Sequence, residues 1–184
     1  MKHNPLVSII VTTFNRKELL KETIHSIINQ TFKDFELIVV DNFSDYDFFE
    51  YIKSFKDNRI RPYQNSNDGI IAINRNYGIK KVKGEYIAFC DDDDLWYPDK
   101  IQKQVLSLKK SNNKMIFSMQ KEFGETSIFS IRFGINPIPF RVKTSTEDLI
   151  KNNCIPLSSV LLEKSIINEV GVFNEDGIFL AVED

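Results

Sequence analysis

The chain has 184 residues, of which 42% are hydrophobic and 27% charged, and its formal net charge is −2. This composition is ordinary for one globular domain and excludes a strongly basic nucleic-acid binder. No apolar run in the sequence reaches the ~20 residues of a transmembrane helix, and the run near the N-terminus is too short for a signal peptide. We therefore expect a single domain over residues 1–184 in the cytoplasm, with no nucleic-acid partner and no transmembrane segment.

The first 110 residues alternate between short apolar runs and segments with helical spacing. The apolar runs predict strands at 6–12, 35–40, 59–63 and 85–90, and helices are predicted around 19–28, 45–55, 70–82 and 98–110. Strand–helix units repeated in this way indicate a Rossmann-like α/β fold. Its sheet should be mostly parallel and flanked by helices on both faces.

The pattern weakens after residue 110. Strands are predicted at 114–119, 128–133 and 158–162, a loop at 136–140, and short helices at 146–152 and 163–170. Gly171 suits the end of the last helix, because glycine tolerates the backbone conformation that commonly follows a helix. The sequence contains no internal repeat and no low-complexity linker, which again favours one domain.

Polar residues follow three of the predicted buried strands directly. They are Thr13–Arg16, Asp41–Ser44 and Asp91–Asp94. In open parallel α/β sheets, ligands bind outside the carboxyl ends of the strands. The sequence therefore predicts that these three segments meet at one ligand site.

The run of four aspartates is the most informative of these segments. Mg²⁺ and Mn²⁺ prefer oxygen ligands, and they often take one or two carboxylates and complete their shell with phosphate oxygens and water. A divalent cation at Asp91–Asp94 would thus suit a ligand that contains a diphosphate. The alternative is a solvated charge run that also caps the next helix, and the residues alone leave it open.

Two segments carry a resemblance to a known family. They are VSIIVTTFNRKELLKETIHSIINQTFKDFELIVVDNFSD (7–45) and NDGIIAINRNYGIKKVKGEYIAFCDDDDLWYPDKIQKQ (67–104). Both resemble the inverting glycosyltransferases of family 2, which have the GT-A fold. The resemblance implies transfer of a sugar, with inversion, from a nucleotide diphosphate sugar to a glycan or lipid-linked acceptor.

The same resemblance implies the cofactor, the donor and the division of the chain. The cofactor would be Mn²⁺ or Mg²⁺, and a UDP-linked sugar is the expected donor. Residues 1–110 would form the nucleotide-sugar-binding half, and residues 111–184 a partial acceptor-side half. Peripheral association with the inner face of the membrane and homo-oligomerisation stay open.

Several site residues are implied by the family pattern. Thr13, Asn15 and Arg16 would frame the nucleotide. Asp41, followed by Asn42, would accept a hydrogen bond from the base. An ionised carboxylate is an acceptor only, which suits the imide N–H of uracil or thymine. The alternative for Asp41 is a turn or helix cap formed with Asn42 and Ser44.

Two further groups complete the implied donor site. Arg75 and Asn76 would lie near the diphosphate or ribose, the alternative being an exposed salt bridge on a helix. Asp93 is the expected metal ligand, with Asp91 as a second ligand, and Asp91 or Asp92 would contact the ribose. Asp94 is expected to cap the following helix, and Trp96 to pack beneath the site.

The resemblance also implies a general base for the acceptor hydroxyl, which an inverting transferase requires. In the family it is commonly the aspartate of a Glu-Asp pair that follows a Gly-x-Phe stretch. Here Gly171–Phe173 is followed by Glu183 and Asp184, so Asp184 is the expected base. Family members continue beyond this pair, so the chain is expected to be C-terminally truncated, and a nucleotide-binding domain without activity is one alternative function.

A sugar nucleotidyltransferase is a second alternative, because that class shares the general architecture. It usually carries a glycine-rich, basic loop after the first strand, and residues 12–18 (TTFNRKE) lack one. A dinucleotide oxidoreductase is disfavoured, because no G-x-G-x-x-G pattern follows the first strand.

Overall fold

A six-stranded sheet forms the centre of the protein. The computed structural model describes residues 4–119 and 155–177. The strands are β1 Val7–Thr13, β2 Phe35–Asp41, β3 Ile60–Gln64, β4 Tyr86–Asp91, β5 Met115–Phe117 and β6 Val160–Glu163. The helices are α1 Lys17–Ile28, α2 Phe48–Lys53, α3 Ile71–Ile79, α4 Lys100–Lys109 and α5 Ser165–Val170, and a 3₁₀ turn at Leu157–Ser159 precedes β6.

The sheet has the strand order β3-β2-β1-β4-β6-β5. The pairs β1–β2, β1–β4 and β2–β3 are parallel, whereas β6 runs antiparallel to both β4 and β5. The predicted mostly parallel α/β sheet is therefore confirmed. Its parallel strands all present their carboxyl ends at one edge, and there Asp41 and Asp91 end β2 and β4.

The sheet is covered by helices on both faces, as predicted. Successive side chains of a strand point to opposite faces, so Val7, Ile9 and Val11 of β1 pack with α1, α2 and α4, whereas Ile10 packs with α3 and α5. All four side chains are buried. Burial on both faces explains why β1 forms a continuous apolar run rather than an alternating one.

Gly78 lets α3 lie close to β1. A Cβ atom at this position would stand 2.7 Å from the Cγ2 atom of Ile10, a distance that real contacts do not reach. The close approach brings α3 against the sheet, and Arg75 of this helix reaches Asp91 at the carboxyl end of β4.

Several predicted boundaries differ from the structure. The helix predicted from residue 98 begins at Lys100, and α2 begins at Phe48, where the side chain of Asp47 accepts a hydrogen bond from the Glu50 N–H at 3.0 Å. The elements predicted at 128–133, 136–140 and 146–152 lie outside the described residues. Within the described ranges, no helix has the length and hydropathy needed to cross a bilayer.

Candidate functional site

A cavity of about 390 Å³ opens at the carboxyl edge of the parallel strands. It is lined from the loop after β1, the loop after β2, the segment before α3, the helix α3 and the loop after β4. The lining includes Thr13, Arg16, Asn42, Asn67, Asn74, Arg75, Asp91, Asp92 and Asp93. A larger groove of about 450 Å³ lies between α1 and α2, but the smaller cavity is the one that brings together residues predicted from the sequence.

Asp92 ties the loops after β1 and β4 together. It accepts hydrogen bonds from Thr13 Oγ1 at 2.8 Å and from Arg16 Nη1 at 3.1 Å, one on each carboxylate oxygen. Only 7% of its side chain is exposed. Burial raises the pKa of Asp92, while the Thr13 hydrogen bond and the Arg16 charge oppose that shift. Both oxygens of Asp92 therefore serve to hold the site in shape.

Asp91 and Asp93 are more open to the cavity than Asp92. Their side chains are 37% and 48% exposed, and each pairs with an arginine. Arg75 Nη2 donates to Asp91 Oδ1 at 3.1 Å, and Arg16 Nη1 donates to Asp93 Oδ2 at 3.0 Å. The two cations offset the repulsion within the run of aspartates, and the pKa of Arg16 is raised, chiefly by the charge of Asp92.

The exposed carboxylates of Asp91 and Asp93 fit a hard divalent cation. Such a cation needs only one or two carboxylates when phosphate oxygens and water supply the remaining ligands. In the part of the chain that the structure describes, no group of three or more His, Cys, Asp or Glu side chains forms a complete cage for a metal ion. A cation held here would thus depend on oxygens from a ligand.

Asp41 lies at the same sheet edge but is fully buried. Its carboxylate accepts hydrogen bonds from Ser44 N at 3.0 Å, Ser44 Oγ at 2.5 Å and Gln64 Nε2 at 2.9 Å. The turn considered as an alternative is therefore present. Since a carboxylate has about four acceptor positions, the turn does not preclude a further hydrogen bond from a base.

Asn15 and Asn42 connect neighbouring loops. Asn15 donates its N–H to Ser44 Oγ and accepts from the Asp45 N–H through Oδ1, both at 2.8 Å. Its φ of 53° lies in the left-handed region, which asparagine tolerates better than most residues. Asn42 Oδ1 accepts from the Asn67 N–H at 3.0 Å. Asn42 lines the cavity, whereas Asn15 holds the loop that carries Arg16.

Arg75 and Asn76 are both buried, which excludes the alternative of an exposed salt bridge. Arg75 faces the cavity, where it pairs with Asp91. The amide of Asn76 instead binds the segment after α5. It donates to Phe173 O and to Glu175 Oε1, both at 2.8 Å, and it accepts from the Phe173 N–H at 3.0 Å. Asn76 is not among the residues that line the cavity.

Two predictions near β4 have different outcomes. The prediction that Asp94 caps the next helix is wrong, because α4 begins six residues later, at Lys100, and the carbonyl of Asp94 instead accepts from Thr23 Oγ1 at 3.0 Å. Trp96 packs in the core with residues of α1 and α4, and its expected place beneath the site stays a prediction. Its side chain is buried, and Nε1 donates to Ser158 O at 3.1 Å. Asp184, the expected base, lies outside the described residues.

Six residues that line the cavity were not assigned a role from the sequence: Thr12, Phe14, Asn67, Gly69, Ile71 and Asn74. Phe14 and Asn74 are examples. Phe14 is 52% exposed and belongs to the predicted loop after β1. Asn74 is fully buried and directly precedes Arg75; its Oδ1 accepts from Asn65 Nδ2 at 2.8 Å. Its Nδ2 has no hydrogen-bond partner within the described ranges. Both could have been found from the sequence, because Phe14 directly follows Thr13 and Asn74 directly precedes Arg75.

Comparisons with known proteins identify the family of the chain. The model of glycosyl transferase family 2 matches residues 8–171. The Escherichia coli protein WfaP, named as a UDP-Glc:alpha-D-GlcNAc-diphosphoundecaprenol beta-1,3-glucosyltransferase, is 37% identical over 130 residues, which are 68% of this chain and 51% of WfaP.

Two solved structures share the fold at low sequence identity. S. aureus TarS 1–349 in complex with UDP matches with a TM-score of 0.75 and 18% identity, over 96% of this chain and 52% of that one. The mannosyltransferase PcManGT from Pyrobaculum calidifontis, in complex with GDP-Man and Mn²⁺, matches with a TM-score of 0.68 and 16% identity, over 95% of this chain and 49% of that one. These matches confirm the predicted GT-A-type fold. The chain spans about half the length of WfaP, of TarS 1–349 and of PcManGT.

Proposed function

Because this chain belongs to glycosyl transferase family 2, we propose that it binds the nucleotide part of a sugar donor in the cavity beside β1 and β4. The whole protein would then transfer the sugar, with inversion, to a glycan or lipid-linked acceptor. The observation that carries the proposal is the arrangement of Asp91 and Asp93 with Arg75 and Arg16 on one cavity at the carboxyl edge of the sheet.

The arginines supply positive charge for the donor diphosphate. Arg16 and Arg75 each donate to a partly exposed carboxylate, and a diphosphate oxygen is an equally suitable acceptor for a guanidinium. Asp92 holds Arg16 and Thr13 in place, so that the phosphate-binding groups are organised before the donor arrives. Asp91 and Asp92 also remain the proposed contacts to the ribose.

A divalent cation, Mn²⁺ or Mg²⁺, is the proposed cofactor. Asp93 would hold it, with Asp91 as a second ligand, since these are the exposed carboxylates of the cavity. When bound, such a cation neutralises the charge that develops on a leaving nucleoside diphosphate. PcManGT, which shares the fold, was solved with Mn²⁺.

Uridine is the proposed nucleoside. Asp41 supplies a buried acceptor at the edge of the sheet, which suits the imide N–H of uracil. The printed name of WfaP includes UDP-Glc, and TarS was solved with UDP. Asn42 would lie beside the nucleotide, and Asn15 would keep the loop of Arg16 against the loop of Asp41.

The acceptor side of the proposal depends in part on residues outside the described ranges. Asp184 remains the proposed general base, and residues 1–110 and 111–184 the proposed donor and acceptor halves of one domain. The name of WfaP refers to a lipid-linked substrate, which suits a protein acting in the cytoplasm at the inner face of the membrane. Nucleotide binding without sugar transfer is the alternative function, and homo-oligomerisation stays open.

Calorimetric titration of the chain with UDP, with and without Mn²⁺, tests the donor site. We expect UDP to bind more tightly with Mn²⁺ than without it, and more tightly than CDP or GDP. Binding of UDP that is independent of metal would contradict the proposed cofactor, and equal binding of the three nucleotides would contradict the role of Asp41. A donor-hydrolysis assay with UDP sugars then separates a transferase from a domain that only binds.

A further inference from the structure

We propose that Phe173 is a positioning residue of the donor site, which holds the guanidinium of Arg75 in place for the diphosphate. Phe173 is 98 positions from Arg75 in the sequence and belongs to the segment that follows α5. This inference rests on the proposed donor site and adds to it a residue that does not line the cavity.

The segment of Phe173 is fastened to α3 by a single buried amide. Asn76 is 1% exposed, and its side chain donates to the Phe173 carbonyl and accepts from the Phe173 N–H. It also donates to Glu175 Oε1. A side-chain amide that contacts both polar groups of one residue fixes the position of that residue on the helix. Asn76 is thereby committed to this segment and would act on the donor only through it.

The ring of Phe173 is held in a defined orientation. It packs against Phe89 of β4 edge to face, with the ring centroids 5.3 Å apart and the planes at 90°. Such edge-to-face pairs stabilise the relative orientation of two rings. The ring is therefore fixed from two sides, by Asn76 through the backbone and by Phe89 through the side chain.

The guanidinium of Arg75 lies over this ring, with its central carbon 5.6 Å from the ring centroid. Only 5% of the Arg75 side chain is exposed, and a cation–π contact is strongest where water is excluded. Arginine has a long side chain with considerable rotamer entropy, so a fixed ring beneath it restricts where its donors point. From this position Arg75 reaches Asp91 Oδ1 at 3.1 Å.

The test uses two ligands that differ only in the diphosphate. Affinities of UDP and of uridine are measured by NMR titration in the presence of Mg²⁺, for the full chain and for Phe173→Leu. We expect the affinity for UDP to fall about threefold to tenfold, which is the effect of one partly desolvated cation–π contact. The affinity for uridine should stay unchanged, because the base is proposed to bind at Asp41.

Two variants act as controls. Phe173→Tyr keeps the face of the ring and should bind UDP like the unmodified chain. Phe55→Leu removes a comparable ring from the groove between α1 and α2, where the ring centroid of Phe55 lies 5.3 Å from that of His25 and 5.4 Å from that of Tyr51. This variant should also leave UDP binding unchanged. Phe173→Met supplies a second apolar replacement should the leucine variant not fold.

The possible results separate the inference from the function on which it rests. Equal weakening of UDP and uridine binding would reduce Phe173 to a packing residue and overturn the inference. Unchanged UDP binding in the variants without a ring would overturn it as well, while leaving the donor site intact. If the unmodified chain bound neither ligand, the proposed donor site itself would fail.

Discussion

Two groups of carboxylates lie at the same edge of the sheet, and they differ in what surrounds them. Asp41, at the end of β2, is fully buried and accepts three hydrogen bonds from Ser44 and Gln64. Asp91, at the end of β4, and Asp93, two residues beyond it, are more than a third exposed and are paired with arginines. The carboxylate of Asp41 is enclosed by the hydrogen-bond donors of neighbouring residues, whereas the carboxylates of Asp91 and Asp93 face the cavity.

This difference predicts that Asp41 contributes more to stability than Asp93 does, in addition to its proposed contact with the base. A buried carboxylate that receives short hydrogen bonds contributes to the folded state, and its loss leaves donors without a partner. Exposed ion pairs contribute little to stability, so the pair of Asp93 with Arg16 can rearrange around a ligand at low cost. The pair of Asp91 with Arg75 is half-buried, because only 5% of the Arg75 side chain is exposed. Substitution of Asp91 and Asp93 should therefore chiefly weaken ligand binding. Substitution of Asp41 should chiefly lower the free energy of unfolding.

The largest effect is expected when the exposed pair is neutralised. In the double variant Asp91→Asn, Asp93→Asn, the increase in UDP affinity caused by Mn²⁺ should fall by about 10- to 100-fold, because amide oxygens are weaker ligands for a hard cation. Calorimetric titration with and without Mn²⁺ measures this. The free energy of unfolding should change by less than about 1 kcal/mol for Asp93→Asn alone, because its pair with Arg16 is exposed. Asp91→Asn should cost more, because it leaves the buried guanidinium of Arg75 without its charged partner.

Asp99→Asn is a matched control for this prediction. Asp99 precedes α4, pairs with Lys103 at 2.6 Å and does not line the cavity. Its replacement removes a carboxylate at the surface without touching the proposed donor site, and the response to Mn²⁺ should be retained. If the double variant kept the full response to Mn²⁺, the assignment of the metal ligands would be wrong.

Neutralising the buried carboxylate should chiefly lower stability. In Asp41→Asn one oxygen becomes an NH₂ group that faces the donors of Ser44 or Gln64, which we expect to cost about 2–4 kcal/mol. Chemical denaturation measures the free energy of unfolding. Asp45→Asn, an exposed position in the same loop, should change it by less than about 0.5 kcal/mol. A variant of Asp41 that was as stable as the unmodified chain would show that the three hydrogen bonds contribute little.

The sequence predicted well which residues lie at the carboxyl ends of the parallel strands. Strands such as β1 and β4 are buried on both faces, so they form continuous apolar runs whose ends are easily found, and the polar residues after them mark the ligand edge. Arg75 was expected at the diphosphate and lines the cavity. The strand predictions succeeded because they depend on local pattern and on the topology of a parallel sheet, and the role of Arg75 at the diphosphate stays a prediction.

Contacts between distant segments could not be predicted in the same way. Nothing in the spacing of residues indicates that Asn76 binds Phe173, 97 positions away, or that Gln64 donates to Asp41 from a neighbouring strand. The cap assigned to Asp94 failed for a local reason, since the segment between Trp96 and Asp99 is turn and loop rather than the first turn of α4. Helix ends are set by such packing as much as by the residues themselves.

Asp92 is intermediate between the two groups in exposure, since 7% of its side chain is exposed. Thr13→Val tests whether its hydrogen bond to Thr13 stabilises the fold. The variant keeps the shape of the side chain but removes the donor that lies 2.8 Å from Asp92 Oδ2. We expect a loss of about 1–2 kcal/mol in the free energy of unfolding, because the hydrogen bond is buried and its acceptor is charged. Thermal and chemical denaturation measure the loss. Thr12→Val, in the same strand, is the matched control, and an equal loss there would point to a general effect of the substitution.

The remaining prediction concerns the dependence of stability on pH and rests on Lys100. Its Nζ lies 3.8 Å from the centre of the Trp96 ring and donates to Gln104 Oε1 at 3.0 Å. Burial lowers the pKa of Lys100 to about 7, and the nearby thiol of Cys90 is itself buried, with a raised pKa. Between pH 7 and the ordinary lysine pKa of about 10.4, the unfolded chain thus binds more protons at this position than the folded chain.

The sign of the pH dependence follows from that difference. Stability rises with pH wherever the unfolded state binds more protons, so Lys100 should make the protein more stable as the pH rises from 7 to about 10, by at most about 1.4 kcal/mol per pH unit. In Lys100→Met this contribution is absent, whereas the contributions of all other groups are shared with the unmodified chain. Urea denaturation of both proteins at pH 7, 8 and 9 measures the difference. Parallel pH profiles would show that Lys100 keeps an ordinary pKa, and UDP binding should be equal in the two proteins because Lys100 does not line the cavity.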